Sequence, residues 1–247
     1  MISHIIPCMN LYEITAGLLD SLFQHTHESY LGEIILIDNG SWDETAGIYN
    51  EFDISVYLRN EENVGFPRAV NQGILLAKED LICVWNNDTV VSPGWIQALL
   101  AHIDKPGYGM LSGFVYEPDV MDLNTFQLTV SSKTTQEIKD FAKGAPWLFK
   151  REVFDTIGLF DERFFPTQCE DSDFLLRMSL AKIKHGMATG CKVFHHSGVT
   201  QTKELLPKYG SFCYAADNRK KFEEKWGTMH IDLEKAYETG EYYGKPR

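Results

Sequence analysis

The chain has 247 residues, 44% of them hydrophobic and 13% aromatic, which is enough to bury one α/β core and unlike a disordered composition. Asp and Glu number 35 against 23 Lys and Arg, and the formal net charge of −12 argues against a nucleic-acid backbone as partner. The cysteines Cys8, Cys83, Cys169, Cys191 and Cys213 are widely spaced and odd in number, the pattern of free thiols in a reducing compartment.

The N-terminus, Met-Ile-Ser-His-Ile-Ile-Pro, lacks the basic region and apolar core of a signal peptide. No apolar run approaches the roughly 20 residues that span a bilayer. A soluble cytoplasmic protein with no transmembrane segment is therefore expected.

Ile2–Cys8 reads as a first strand, ended by the polar turn after Pro7. Leu11, Ile14, Leu18, Leu19, Leu22 and Phe23 recur at helical spacing over Leu11–His27. Glu33–Ile37 is a second buried strand, Asp43 caps a helix through Phe52, and Ile54–Leu58 is a third strand. Asn63-Val64-Gly65-Phe66-Pro67 opens a helix to about Lys78, with proline in the first turn, where it is tolerated. The apolar run Leu81–Trp85 is a fourth strand and breaks into Asn86, Asn87 and Asp88.

Strand and helix thus alternate over the first 90 residues, which predicts a mostly parallel sheet covered on both faces. In such sheets ligands bind outside the carboxyl ends of the strands. Met9-Asn10, Asp38-Asn39, Arg59-Asn60 and Asn86–Asp88 all fall at such ends, although turns favour Asn and Asp for their own reasons.

The second half is less regular. A helix follows from Trp95 to Ile103, a strand from Tyr108 to Val115, and an ambiguous segment, strand or loop, over Asp122–Ser132. Lys143–Phe149 bends into a packed apolar segment before a helix over Arg151–Ile157. An aromatic loop, Gly158–Phe165, precedes a helix that Glu170-Asp171-Ser172-Asp173 opens and that runs to Lys184. Lys192–Phe194 is a last short strand, Leu205–Trp226 a helix, and the tail frays from Thr239.

Four features carry candidate chemistry. Asp38 could accept hydrogen bonds from a nucleobase or ribose, or simply begin an Asx turn. The helix N-terminus at Gly65 and Arg68 could face an anion, while on local grounds Arg68 reads as a solvated surface charge. Neither a Gly-x-Gly-x-x-Gly fingerprint nor a P-loop is present. The acids Glu170, Asp171 and Asp173 complement a helix dipole, yet crowded carboxylates also raise one another's pKa, as a general base needs. His195 and His196 point to opposite faces of a strand, so one of them could join Asp88 on a divalent cation.

Six segments, in order, resemble inverting family 2 glycosyltransferases of the GT-A fold, notably the rhamnosyl- and galactosyl-type members. They are Ile-Asp-Asn-Gly-Ser-Trp-Asp-Glu-Thr (37–45), Asn-Val-Gly-Phe-Pro-Arg-Ala-Val-Asn-Gln-Gly (63–73), Trp-Asn-Asn-Asp-Thr (85–89), Gly-Leu-Phe-Asp-Glu-Arg-Phe-Phe (158–165), Glu-Asp-Ser-Asp-Phe (170–174) and Val-Phe-His-His-Ser-Gly (193–198). The resemblance implies a single α/β domain over residues 1–230, with a mostly parallel Rossmann-like central sheet flanked by helices. Residues 1–105 would be its nucleotide-sugar half, 106–230 its acceptor half, and 231–247 a tail.

It also implies roles. Pro7, Met9, Asn10, Asp38, Gly65, Arg68, Asn86 and Asn87 would bind a UDP- or dTDP-linked sugar. Asp88 and His195, or alternatively His196, would hold Mn²⁺ or Mg²⁺. Asp171 would be the catalytic base and Glu170 would help hold the acceptor hydroxyl of a glycan or glycoconjugate. Two departures stand out: Asn86 replaces the first acid of the family's Asp-x-Asp, and Cys169 replaces a usual aromatic. The competing expectations are a nucleotidyltransferase on a similar sheet and a nucleotide-sugar or glycan-binding module without turnover.

Overall fold

Four strands lie side by side, three of them apolar enough to be buried on both faces and the fourth, at the sheet edge, only partly buried. They are β1 (Ile2–Cys8), β2 (Leu31–Asp38), β3 (Val56–Arg59) and β4 (Leu81–Val84), all parallel, in the order β3-β2-β1-β4. The structure is a computed structural model and describes residues 1–119, 122–129, 138–139, 144–199, 201–205, 208 and 213–241.

The sheet grows from β4 by five further strands. These are β5 (Thr89–Val91), β6 (Tyr108–Tyr116), β7 (Ile138–Lys139), β8 (Trp147–Lys150) and β9 (Lys184–His195), of which only β6 and the last residues of β9 were expected. The order continues β4-β8-β6-β9-β5, with β7 also on β9. β8 is antiparallel to both β4 and β6, so β6 points the same way as β4, and β9 runs parallel to β6. The carboxyl ends of β1, β2, β4, β6 and β9 therefore share one edge.

Alternation along the strands sorts the core into two layers. Ile6, Leu36, Cys83 and Trp85 face α1 (Tyr12–His25) and α3 (Trp95–Ile103). Ile5, Ile35, Ile37 and Val84 face α2 (Phe66–Leu76), α5 (Glu152–Ile157) and α6 (Glu170–Leu180). Each buried Leu or Ile contributes about 1.5–3 kcal/mol relative to exposure. α2 lies close on β1 because Gly73 has no side chain: a Cβ there would stand 2.3 Å from Ile5 Cγ2. A short helix α4 (Leu123–Thr129) follows β6; α7 (Cys213–Trp226) and α8 (Leu233–Thr239) pack Phe222, Trp226 and Ala236 on Leu176 of α6.

Several local expectations change. Glu44–Asn50 is a 3₁₀ run rather than an α-helix, and part of the ambiguous segment is helical. The strand at Phe194 is twelve residues long, and the helix from Glu170 stops at Leu180. Of the expected 205–226 helix, residues 206, 207 and 209–212 lie outside the described residues. Leu205 ends a π turn over Gln201–Leu205, and the described helix is α7.

Candidate active site

An open cleft sits at the shared strand edge. One wall is Pro7, Cys8 and Met9 from the end of β1, with Asn39 after β2 and Asn63 and Phe66 at the entry to α2. Asn86, Asn87 and Asp88 form its floor after β4. Pro166 and Thr167 close one side, and His195, Gly198 and Leu205 the other.

The cation candidates meet because β5 pairs antiparallel with β9, setting Thr89 opposite His195. Asp88 Oδ1 lies 2.9 Å from His195 Nε2, and Asn86 Nδ2 lies 3.5 Å from the same nitrogen. The neighbouring His196 donates its backbone N–H to the Asp88 carbonyl at 2.8 Å, while its ring stacks edge-on against Phe194. Burial pushes the His196 pKa below its ordinary value.

Among the described residues no three His, Cys, Asp or Glu side chains converge as a complete metal cage. The two that do meet, one carboxylate oxygen and one imidazole nitrogen, suit Mn²⁺ or Mg²⁺ when phosphate oxygens and water supply the remaining positions. The residues fit that kind of ion.

Asp38 lies behind the cleft wall. Its fully buried carboxylate accepts from Ser41 N–H at 2.8 Å, Tyr57 OH at 2.8 Å and Arg59 Nη1 at 2.7 Å. Asn60 Nδ2 donates to Asn39 Oδ1 at 2.9 Å, and Asn60 also pairs with Gln72, so these amides form a connected polar shelf. Asn10 is held by Glu204, which accepts from its Nδ2 at 2.6 Å, and by Trp42 N–H on its Oδ1. Asn87 donates its amide to Thr15 on α1 at 2.9 Å. Arg68 is mostly exposed and points to Glu162, 4.0 Å away, outside the cleft wall.

Gly65 has its place for a steric reason. Its φ is +86°, and a Cβ there would stand 2.8 Å from Phe165 Cδ2 and 3.2 Å from the Pro166 carbonyl. Phe66 N–H donates to that carbonyl at 2.7 Å. The α2 entry and the aromatic loop thus share one backbone contact, and this brings Pro166 and Thr167 onto the cleft.

Glu170 follows on the first turn of α6. Its carboxyl is buried, its Oε1 accepts from Thr167 OH at 3.1 Å, and its buried Oε2 has no hydrogen-bond partner among the described residues. Burial, with the charge on Asp171 adding, pushes its pKa up to about 8. Asp171 is half-buried, accepts from Ser172 N–H at 2.7 Å, and borders the apolar hollow of Trp147, Phe160 and Phe174. Asp173 belongs to a different network: fully buried, it takes Arg177 at 2.9 Å, Lys225 at 2.6 Å and Trp226 Nε1 at 2.8 Å.

Sequence reasoning passed over Asn63, Phe66, Thr167, Gly198 and Leu205 as cleft residues. The two junctions that hold Asn63 and Thr167 had local signals, an Asn beside Gly65 and a polar break after Phe165-Pro166. Nothing local marks Leu205.

The model of glycosyl transferase family 2 matches residues 3–160. Among curated relatives, the glycosyltransferase GlyG of Streptococcus pneumoniae is 27% identical over 164 residues, 62% of this chain and 54% of that protein. The O-antigen biosynthesis protein RfbC of Myxococcus xanthus is 21% identical over 84% of this chain and 18% of its own length. The chain thus spans about half, or much less, of these two relatives.

A crystal structure of GalNAc-T7 with UDP, GalNAc and Mn²⁺ superposes with a TM-score of 0.71 at 18% identity, covering 92% of this chain and 49% of that one. The mannosyltransferase PcManGT of Pyrobaculum calidifontis, with GDP-Man and Mn²⁺, gives 0.66 at 16% identity over 98% and 69%. The α/β fold is the one these GT-A proteins have. With the family model matching well over half of its length, the chain belongs to glycosyl transferase family 2.

Proposed function

We propose that the chain transfers a sugar from a nucleotide diphosphate sugar to an acceptor hydroxyl of a glycan or glycoconjugate, in one inverting displacement. The observation that carries this reading is the charge of the cleft. Among the described residues its wall contains Asp88 and no Lys or Arg. A diphosphate placed beside Asp88 would meet uncompensated negative charge unless a cation came with it. Asp88 Oδ1 and His195 Nε2 are the groups that would hold that cation. Once bound, such an ion would neutralise charge on the departing nucleotide diphosphate. Among the described residues this wall carries no basic phosphate loop of the kind the nucleotidyltransferase alternative calls for.

The protein's own residues would do the rest. Pro7, Met9, Asn39 and Asn63 would flank the nucleotide, with Asp38 bracing that wall from behind through Arg59 and Tyr57. Asp171 would take the acceptor proton as the acceptor oxygen attacks the anomeric carbon from the face opposite the leaving group. Glu170, held neutral by burial and bonded to Thr167, would help hold the same hydroxyl. Holding donor and acceptor in a fixed mutual orientation would lower the entropic part of the barrier.

Support comes also from the fold relatives, GalNAc-T7 with UDP and PcManGT with GDP-Man, each with Mn²⁺. The test begins with a screen of UDP-, dTDP- and GDP-sugars for hydrolysis in the presence of Mn²⁺. With the donor so found, Asp171→Asn should abolish transfer and leave donor affinity within a few-fold. Full turnover in that variant would remove Asp171 as the base.

A further inference from the structure

Beyond the cleft wall, a chain of contacts runs outward from His195. Its Nδ1 lies 3.2 Å from Ser197 Oγ, and Ser197 donates its hydroxyl hydrogen to Glu117 Oε1 at 2.9 Å. Ser197 has one hydrogen, and Glu117 takes it. The contact with His195 is then made by Nδ1–H donating to the Ser197 lone pair. That arrangement leaves Nε2 with its lone pair toward Asp88 Oδ1, 2.9 Å away, where two electron-rich atoms need a positive group between them.

The arrangement has a topological cause. β6 and β9 are parallel neighbours with Tyr116 beside Phe194, so the residue after β6, Glu117, falls beside the end of β9. Ser197 reaches between them by holding φ at +37°, a conformation that side chains other than Gly and Asn rarely adopt.

We propose that Ser197 and Glu117 are positioning residues that fix His195 with Nδ1 protonated and so present Nε2 to a divalent cation shared with Asp88. The proposal rests on the reading of Asp88 and His195 as the cation site. Outer partners of this kind set ligand orientation and basicity, and their loss typically weakens metal affinity about 10–100-fold. Ser197 and Glu117 need touch neither nucleotide nor sugar.

The test measures Mn²⁺ binding by the electron paramagnetic resonance signal of free Mn²⁺, in the presence of UDP and separately of GDP. Wild type, Asp88→Ala, Ser197→Ala, Ser197→Gly and Glu117→Gln are compared, with thermal midpoints and metal-free nucleotide affinity as controls. Ser197→Gly removes the hydroxyl while relieving the positive φ, so it separates the hydrogen bond from backbone strain. The expected result is loss of Mn²⁺ binding in Asp88→Ala and a roughly 10–100-fold weakening in both Ser197 variants and in Glu117→Gln, with the controls unmoved. Wild-type Mn²⁺ affinity in Ser197→Gly and Glu117→Gln, alongside loss in Asp88→Ala, would overturn the positioning role and leave the cation site standing. Retained binding in Asp88→Ala, or no uptake by wild type with either nucleotide, would overturn both.

Discussion

Asn71 on α2 grips the backbone of Phe160 with both ends of its amide. Phe160 N–H donates to Asn71 Oδ1 at 2.9 Å, and Asn71 Nδ2 donates to the Phe160 carbonyl at 2.9 Å and to Glu162 Oε1 at 2.9 Å. This buried side chain ties the helix that follows the β2–β3 half to the aromatic loop that leads to Glu170 and Asp171. Replacing Asn71 with Ala leaves a buried N–H and C=O without partners, at about 1–3 kcal/mol for each group. Chemical denaturation should therefore show Asn71→Ala destabilised by at least about 2 kcal/mol. A change under about 0.5 kcal/mol would mean that water takes over both bonds.

Gly65 sits one step from the same loop. A Cβ there meets Phe165 Cδ2 at 2.8 Å, and the backbone φ of +86° is itself costly for alanine. Gly65→Ala should lose about 1–3 kcal/mol and push the Phe165–Thr167 segment away from α2. Transfer activity should fall further than stability, because Pro166 and Thr167 wall the cleft. Unaltered thermal midpoint and turnover together would contradict the steric account.

Asn86 gives the opposite kind of test, a gain. Its side chain lies 3.5 Å from His195 Nε2 and carries no charge. Asn86→Asp adds a carboxylate beside Asp88 and should tighten Mn²⁺ binding in the presence of nucleotide, on the order of 10-fold. Titration calorimetry would show it. Unchanged Mn²⁺ affinity in this variant would place position 86 outside the cation's reach.

Glu170 should leave a signature in the pH dependence of stability. Burial, with Asp171 nearby, holds its carboxyl neutral up to about 8, against an ordinary value of 4.5. Between those values the folded chain keeps a proton that the unfolded chain has lost. Stability from this group is therefore fully present below about 4.5 and declines as pH rises through about 8. Glu170→Gln cannot titrate. Its thermal midpoint should match wild type near pH 5 and exceed it near pH 9, and parallel curves across that range would show that Glu170 is not held neutral.

The pattern of burial was legible in the residues themselves. Runs such as Ile34–Ile37 and Leu81–Trp85 have no polar position to offer solvent, and they form the strands buried on both faces. The polar breaks after them, Asn39 and Asn86–Asp88, came out on the cleft because parallel strands deliver their carboxyl ends to one edge. The short strands β5, β7 and β8 were not legible. Two to four residues carry too little periodicity to register, and each exists because a long neighbour supplies its hydrogen bonds.

The sequence by itself determined the alternating α/β order, the family and the short list of groups able to do the chemistry. It placed Asp88, His195, Glu170 and Asp171 on that list and left their mutual positions open. Tertiary structure decided that His195 rather than His196 turns its ring to Asp88, that Asp38 is buried against Arg59 and Tyr57, and that Glu117 and Ser197 stand behind the histidine. The physical reason is register. Side-chain direction flips with each residue along a strand, and the pairings that fix it here, Thr89 beside His195 and Tyr116 beside Phe194, join segments far apart in the chain. No local pattern encodes that choice.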